Sequence, residues 1–366
     1  MTSIEVTSGL DDALETVPNR PAVFLIWPHQ GEPYLGKTTL LRRRLVRLLK
    51  HRDRPSRMLN LRETARAVEY RLTGSALEAM MLHYDLARRH FPDRYLELLN
   101  LRMPPYVKLL LANPYPRAQV TSRLSASASL HFGPFRTRQA AERFESQFLD
   151  LFQIRRCQED LAPSPEHPGC IYGEMSLCLR PCQAAVSRDE YVHEVARVVD
   201  FLRSDGQSLM GSVTAARDRL SQEMNFEEAA RQHKRLEKIR EILKLRDALV
   251  CDINRLNGAI VTSSLEPHAV ELWFVCQGYW QAPLRMTFEV SEGKSVSLDK
   301  RLRDVISTLR PALGSTRLRQ EHLALLARWF YSSWREGEWV PFNPLVEMPY
   351  RKLVRAISRV AAGGLA

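Results

Sequence analysis

The sequence predicts an α+β protein that is built from several domains. Apolar runs of strand length occur near the N-terminus, at Ala22 to Trp27, and again between residues 250 and 293. Between them, residues 187–247 carry apolar side chains at steps of three and four, which is the helical period. With 366 residues, the chain is long enough for about two or three domains, each with a hydrophobic core.

The charge balance indicates a polyanionic partner. The chain has 53 Lys and Arg residues against 42 Asp and Glu residues, a net charge of +11. Such an excess favours nucleic acid as the partner, and a merely solvated basic surface is the alternative. No apolar run is long enough to cross a membrane. The first residues lack the basic and apolar regions of a secretory signal, so we expect a cytoplasmic protein without a membrane partner.

The N-terminal region predicts a strand hairpin followed by a basic helix. The run Ala22 to Trp27 is followed by a turn and by a second short strand that begins at Tyr34. Leucines recur on one side of the next segment and arginines on the other, as in an amphipathic helix. Guanidinium groups grip phosphates, so we expect DNA to be bound by this face, with a solvated helix as the alternative. Its arginines are Arg42, Arg43, Arg44 and Arg47.

The same region contains a phosphate-loop motif. Gly31 to Thr38 reads Gly, four residues, Gly-Lys-Thr, and it follows an apparent strand. Tyr34 and Leu35 place bulk where the backbone would have to wrap a phosphate. No later strand ends in an aspartate suited to magnesium. A nucleotide-binding protein is therefore the alternative of another class.

Four of the six cysteines fall within one short stretch, at Cys157, Cys170, Cys178 and Cys182. Disulfides need an oxidising compartment, which the N-terminus does not predict. Thiolates are soft ligands that suit zinc or an iron–sulfur cluster. Structural zinc sites usually contain tight Cys-x2-Cys pairs, whereas this spacing is wide and Pro181 precedes the last cysteine. The pattern favours an iron–sulfur cluster, with zinc and unliganded core cysteines as alternatives.

Residues 187–247 predict three helices. Ser187 and Glu190 form a capping-box pattern at the start of the first. The second and third, residues 208–223 and 226–245, are separated near Met224 and would form a hairpin in which small alanines allow close packing. Strands and then helices are predicted beyond residue 250, including a segment rich in aromatic residues around Trp329. That segment is expected to lie in the core, with a base-stacking platform as the alternative.

The N-terminal residues resemble the GIY-YIG nuclease module of the UvrC family. Tyr34, Lys37 and Arg44 match active-site positions of that family. Phe24 stands where the family has a tyrosine, and His83 stands where it has a metal-binding glutamate. The resemblance therefore implies a degenerate catalytic set, with a divalent metal such as magnesium bound only if the nuclease is active. A helix placed one turn differently would instead offer Glu78 or Asp85 to the metal.

Two later segments are also similar to UvrC. The run from Cys178 to Cys182 resembles the end of the family's four-cysteine region, which implies a 4Fe–4S cluster on Cys157, Cys170, Cys178 and Cys182. The string that begins at Met224 resembles the UVR motif, a hairpin that binds UvrB. By that resemblance, contact with a UvrB-like partner is assigned to Phe226, Glu227, Ala229, Ala230 and Leu236.

The resemblance implies four domains and a function. We expect a GIY-YIG-like module at 1–105, a linker and cluster region at 106–186, a helical region with the UVR motif at 187–247 and a small α/β region at 248–366. It implies a DNA repair protein of nucleotide excision repair that binds DNA and a UvrB-type partner, with weak or absent endonuclease activity. An active single-incision endonuclease is the alternative. The family's RNase H-like nuclease has no counterpart in this sequence. We therefore do not expect this chain to make the incision that the RNase H-like nuclease makes.

Overall fold

The computed structural model is a mixed α+β protein with three antiparallel sheets among its described residues. This confirms the predicted fold class. Within the same residues, no helix is long and apolar enough to cross a membrane. The described ranges are residues 1–6, 10–50, 59–125, 128–287, 298–308, 314–342 and 349–363.

The N-terminal part is a four-stranded sheet with helices on both faces. The sheet order is β1-β4-β2-β3. Successive side chains of a strand point to opposite faces, so Phe24 packs against the first two helices while Val23 and Leu25 pack against α3. The predicted hairpin and basic helix are confirmed. The elements are β1 (Thr2–Glu5), α1 (Leu10–Thr16), β2 (Ala22–Pro28), β3 (Tyr34–Thr38), α2 (Leu41–Leu49), β4 (Ala65–Leu72), α3 (Ala76–His90) and α4 (Tyr95–Leu98).

This pairing shows that the phosphate-loop alternative is wrong. Gly36 and Lys37 lie within β3, directly opposite Phe24 and Val23 of the antiparallel strand β2. A phosphate loop instead wraps its ligand with backbone N–H groups between a strand and the start of a helix. Here a strand ladder occupies those positions. The glycine has a packing role, because a Cβ atom at Gly36 would lie 2.6 Å from Cζ of Phe24.

The middle part combines a second sheet, ordered β6-β5-β7-β8, with five helices. Its core is rich in phenylalanine; the rings of Phe144 and Phe132 stack with their centroids 5.3 Å apart. The predicted capping box at Ser187 and Glu190 is confirmed. The elements are β5 (Tyr106–Leu109), β6 (Ala118–Thr121), β7 (Leu130–Gly133), α5 (Arg138–Leu149), α6 (Ile171–Glu174), α7 (Arg188–Arg203), α8 (Gln207–Gln222), α9 (Phe226–Leu243) and β8 (Cys251–Asp252).

The C-terminal part is a third sheet, ordered β11-β10-β9-β13, with a further strand, β12, beside β10. Among the strands and helices predicted beyond residue 250, one strand is predicted at residues 284–290 and one helix at 302–309, and the ends of both lie outside the described residues. The elements are β9 (Gly258–Ser263), β10 (Ala269–Cys276), β11 (Tyr279–Trp280), β12 (Leu284–Thr287), α10 (Leu298–Thr308), α11 (Thr316–Phe330), β13 (Glu338–Pro341) and α12 (Tyr350–Gly363).

Helix α11 joins the C-terminal part to the N-terminal part through one shared hydrophobic core. Its Glu321 is buried and accepts hydrogen bonds of 2.6 Å from the hydroxyls of Tyr84 on α3 and Tyr95 on α4. A buried carboxylate is costly unless it is paired, and Arg317 supplies a third donor at 3.2 Å. This network fixes α11, and the segment that follows it, beside α3.

Candidate functional site

The predicted catalytic residues are the first candidate site, and they lie on both faces of the sheet at β3, with Tyr34 on the side of α2 and Lys37 on the side of α3. Nη2 of Arg44 donates a hydrogen bond of 3.0 Å to the hydroxyl of Tyr34, so two of the predicted residues are in direct contact. Phe24 is fully buried, and its ring centroid lies 6.1 Å from that of Tyr34. Its para carbon, which carries the hydroxyl in a tyrosine, is the ring atom nearest to Gly36. Phe24 therefore packs as a core side chain and offers no proton-accepting group.

His83 lies among cations. Burial, followed by the charges of Lys37 and Arg328, lowers the pKa of His83 to about 4. Burial and Arg328 also lower the pKa of Lys37. At neutral pH the imidazole is therefore uncharged, with two positive groups near it. Sequence reasoning brought Lys37 and His83 together but missed Arg328, which comes from α11.

The segment after α11 lies over this site. The ammonium group of Lys37 is 5.9 Å from the ring centroid of Trp334. Nearby, the backbone N–H of Leu77 on α3 donates a hydrogen bond of 3.1 Å to the carboxylate of Glu336. No local sequence signal could reveal these contacts, because the paired residues are hundreds of positions apart. The predicted aromatic core is present in part, since Trp329 is buried while Trp334 is partly exposed.

The alternative metal ligands face another cleft. Glu78 accepts a 2.8 Å hydrogen bond from the N–H of Gly74 and lies 3.6 Å from Arg71. Glu78 and Asp85 both line a cleft beside β10 that also contains Glu271. Burial raises the pKa of both Glu78 and Asp85. His83 is thus the α3 side chain near Lys37, whereas Glu78 and Asp85 line this other cleft.

This donor set does not fit a magnesium ion. Magnesium requires hard oxygen ligands, usually carboxylates. The charged groups that shift the pKa of His83 are both cations, and its own donor is a neutral nitrogen. Lys37 and Arg328 suit a phosphate instead, because cationic N–H donors form strong hydrogen bonds to phosphate oxygens.

The second candidate site is formed by the four clustered cysteines. All four line one small cavity, together with Arg155, Arg156 and Arg180. Each is a free thiol, which excludes the disulfide alternative in this structure. Cys178 and Cys182 are buried, and Cys157 and Cys170 are half-buried. The wide sequence spacing is closed by loops, by α6 directly after Cys170, and by a 3₁₀ turn at Pro181–Gln183.

The chemistry of this cavity is that of soft, partly shielded thiols. Burial, opposed by the Arg180 N–H and reinforced by the other three cysteines, raises the pKa of Cys178 to about 11. The N–H of Arg180 lies 3.4 Å from the sulfur of Cys178, and Nη1 of Arg155 lies 3.6 Å from that of Cys157. Hydrogen bonds to sulfur and nearby positive charge are what thiolate clusters need. The donor set therefore fits an iron–sulfur group. Within the described ranges, no group of three or more His, Cys, Asp or Glu residues is placed so that it could hold a metal ion.

The third candidate site is the hairpin of α8 and α9. Asn225 caps α9 by accepting a hydrogen bond from the N–H of Glu228. The predicted partner-binding residues divide between two faces: Leu236 and Ala229 are buried inside, whereas Ala230 and Glu227 are exposed. Phe226 is 66% exposed at the hairpin tip. The assignment of Leu236 and Ala229 to a partner surface is thus corrected, because both are buried and Leu236 packs in the middle core.

The arginines predicted to bind DNA lie on α2. Arg42, Arg43 and Arg47 are exposed, and Arg44 is half-buried against Tyr34. Nε of Arg42 donates to the carbonyl of Val17 at 2.6 Å, so that side chain is anchored to the protein. The leucines of the helix are buried on its opposite side. An exposed basic face is thus present, as the amphipathic pattern predicted.

Comparison with known proteins defines the class. Residues 105–201 match the model of the middle domain of UvrC/Cho excinucleases. The UvrABC system protein C of Lachnospira eligens is 26% identical over 295 residues, 79% of this chain and 48% of the relative. The proteins of that name from Caldanaerobacter subterraneus subsp. tengcongensis and Moorella thermoacetica are 26% and 27% identical, over 74% and 64% of this chain and 44% and 38% of theirs. No solved structure matches.

The fold and these matches describe an α+β protein whose middle part is similar to the middle domain of UvrC/Cho excinucleases. Over 64–79% of its length the chain is similar to these UvrC proteins. It spans less than half the length of these three relatives.

Proposed function

We propose that this chain is a UvrC-like protein of nucleotide excision repair that binds DNA and a UvrB-type partner, with weak or absent nuclease activity in its N-terminal part. The observation that carries the proposal is the cationic site around His83. Lys37 and Arg328 remain available for a phosphate, while the carboxylate is replaced by a neutral imidazole. Such a site favours binding of the DNA backbone over its cleavage.

The four cysteines support a further part of the proposal. We assign to them a 4Fe–4S cluster held by Cys157, Cys170, Cys178 and Cys182, with zinc as the alternative. Bound there, the cluster would act as a structural cross-link between loops that otherwise have little regular structure. The cavity lining of sulfur and arginine supports this assignment.

DNA binding is tested by the salt dependence of affinity. Removal of two α2 arginines in an Arg43→Ala, Arg47→Ala protein should flatten the plot of log affinity against log salt by about 0.9 for each phosphate that is no longer bound. Fluorescence anisotropy with labelled duplex DNA measures this slope. The matched control is Arg89→Ala with Arg143→Ala, which removes the same charge from exposed positions on α3 and α5. If the α2 variant and the wild type have the same slope of log affinity against log salt, this face of α2 does not contact DNA and is only solvated.

Partner binding is tested at the hairpin tip. Phe226 is 66% exposed, so its removal should leave folding intact. Replacing it with alanine should weaken the complex with a UvrB-type protein by on the order of 2 kcal/mol, the typical loss for a large anchor side chain. Isothermal titration calorimetry gives the value. Val192→Ala is the control, since it truncates another exposed apolar residue of the helical region, 43% exposed on α7. Equal affinity in all three proteins would make the hairpin an internal structural element.

A further inference from the structure

A cleft with a purely basic charged lining lies where the three parts of the protein meet. Its walls come from the segment after α4, the start of α5 and the C-terminal half of α11. Its volume of about 480 Å³ is on the scale of ligand clefts, roughly 300–1,000 Å³. None of its lining residues is acidic. Its charged residues are Arg102, Arg136, Arg138 and Arg328.

The arginines of the cleft are available to a ligand. All four are exposed. In the described part of the chain, neither Arg102 nor Arg136 has a hydrogen-bonded or ion-paired side chain. Arg138 pairs with Glu142 at 2.7 Å, but both of these side chains are largely solvent-accessible, and such exposed pairs contribute little. Nη1 of Arg328 donates to the carbonyl of Leu99 at 2.7 Å, which uses one of its five N–H donors.

Arg328 connects this cleft to the first candidate site. Its charge lowers the pKa of both Lys37 and His83, so its guanidinium lies within electrostatic range of that site while its side chain also lines the cleft. The lining of the cleft also includes the buried, small residues Ala324 and Ala327 of α11. Small side chains there leave room for an extended chain to lie close to the helix.

We propose that this cleft, defined by Arg102, Arg136, Arg138 and Arg328, is a second binding site for the phosphodiester backbone of duplex DNA. It continues the path of the DNA from the Lys37 site across the junction of the three parts. A small anion would need an enclosed pocket that buries most of its surface. Exposed arginines from three separate segments suit a polymer that passes through. The proposal rests on the proposed DNA-binding function and names the surface that function uses.

The experiment compares an Arg102→Ala, Arg136→Ala protein with wild type. The slope of log affinity for labelled duplex DNA against log salt should fall by about 0.9 for each phosphate that is released, and so by about 1.8 for two. Both positions are exposed, so melting temperatures should agree. Reversing the two charges to glutamate should weaken binding further. The Arg89→Ala, Arg143→Ala protein, which loses the same charge outside the cleft, should keep the wild-type slope.

The outcomes separate this proposal from the proposed function. If wild type binds DNA and the cleft variant keeps its slope and affinity, the cleft proposal is overturned and DNA binding through α2 stands. The same conclusion follows if the control variant is weakened as much as the cleft variant, because the effect would then be bulk charge. Preference for duplex RNA over duplex DNA would overturn the choice of partner. If wild type binds no DNA, the proposed function fails and the cleft proposal falls with it.

Discussion

A Cys178→Ser protein purified without oxygen should be colourless, whereas the unmodified chain should be brown. The sulfur of Cys178 is buried, lines the cavity with the three other thiols, and receives the N–H of Arg180. A serine oxygen is a hard donor that iron–sulfur clusters rarely accept, so one substitution should remove most of the bound iron. Absorption at the boundary of the visible and ultraviolet, with iron and sulfide counted per chain, measures the loss.

The same change should lower yield and thermal stability, because cluster binding is coupled to folding. The control is Cys276→Ser, since Cys276 and Cys178 are each 7% exposed but Cys276 lies in the C-terminal sheet, outside the cavity. That variant should keep its colour. If the wild-type protein is colourless and contains one zinc per chain, the four cysteines form a zinc site and not an iron–sulfur site. Wild-type protein that is folded, colourless and metal-free would make these four residues ordinary core cysteines.

The order of helices and strands could be predicted from the sequence because its signals are local. The apolar run from Ala22 and the arginine and leucine faces of α2 each belong to one element. The capping box at Ser187 likewise needs only the residues up to Glu190. The four-cysteine cavity was also predictable, since it gathers one short stretch of chain.

The faces used by these elements were harder to predict. Phe226 and Leu236 are both assigned to the partner contact from the sequence, yet one is exposed and the other is buried. The spacing of apolar residues along a helix does not show which side packs against the core when apolar residues occur on several sides. The phosphate-loop motif failed for a related reason, because a short string does not specify that Gly36 will be paired in a strand.

The arrangement of the N-terminal site depends on long-range packing. Arg328 and Trp334 reach Lys37 because Glu321 is fixed by two tyrosines from α3 and α4. These pairings lie more than two hundred residues apart in sequence, and neither partner carries a distinctive motif. Sequence comparison with the family could identify the substituted positions, Phe24 and His83. It could not show that Lys37 and Arg328 lie near His83.

The unmodified chain should show little or no nicking of damaged duplex DNA with magnesium or manganese, even with a UvrB-type partner present. Phe24 is a buried hydrocarbon and His83 is a neutral nitrogen donor between cations. General acid–base groups contribute about 10²–10⁴-fold and electrostatic stabilisers about 10²–10³-fold. Loss of both should therefore lower the rate by several decades.

A Phe24→Tyr, His83→Glu protein should gain nicking activity over the unmodified chain. The glutamate restores an oxygen donor, although Lys37 and Arg328 will compete with the metal for it, so the gain should be smaller than the full loss. The new hydroxyl would lie beside Gly36, the one residue of β3 without a side chain to exclude it. Adding Trp334→Ala should raise the rate again, because Trp334 lies against Lys37.

The role of Arg44 decides between a binding site and a catalytic site. In the restored protein, Arg44→Ala should abolish the gained activity, because Arg44 both holds Tyr34 and supplies charge to a phosphate. In the unmodified chain the same change should alter DNA affinity only, since there is no cleavage to lose. Metal-dependent nicking by the unmodified chain that disappears with Arg44→Ala would contradict this. The neutral imidazole of His83 would then be a sufficient ligand, and the active single-incision nuclease would be the correct description.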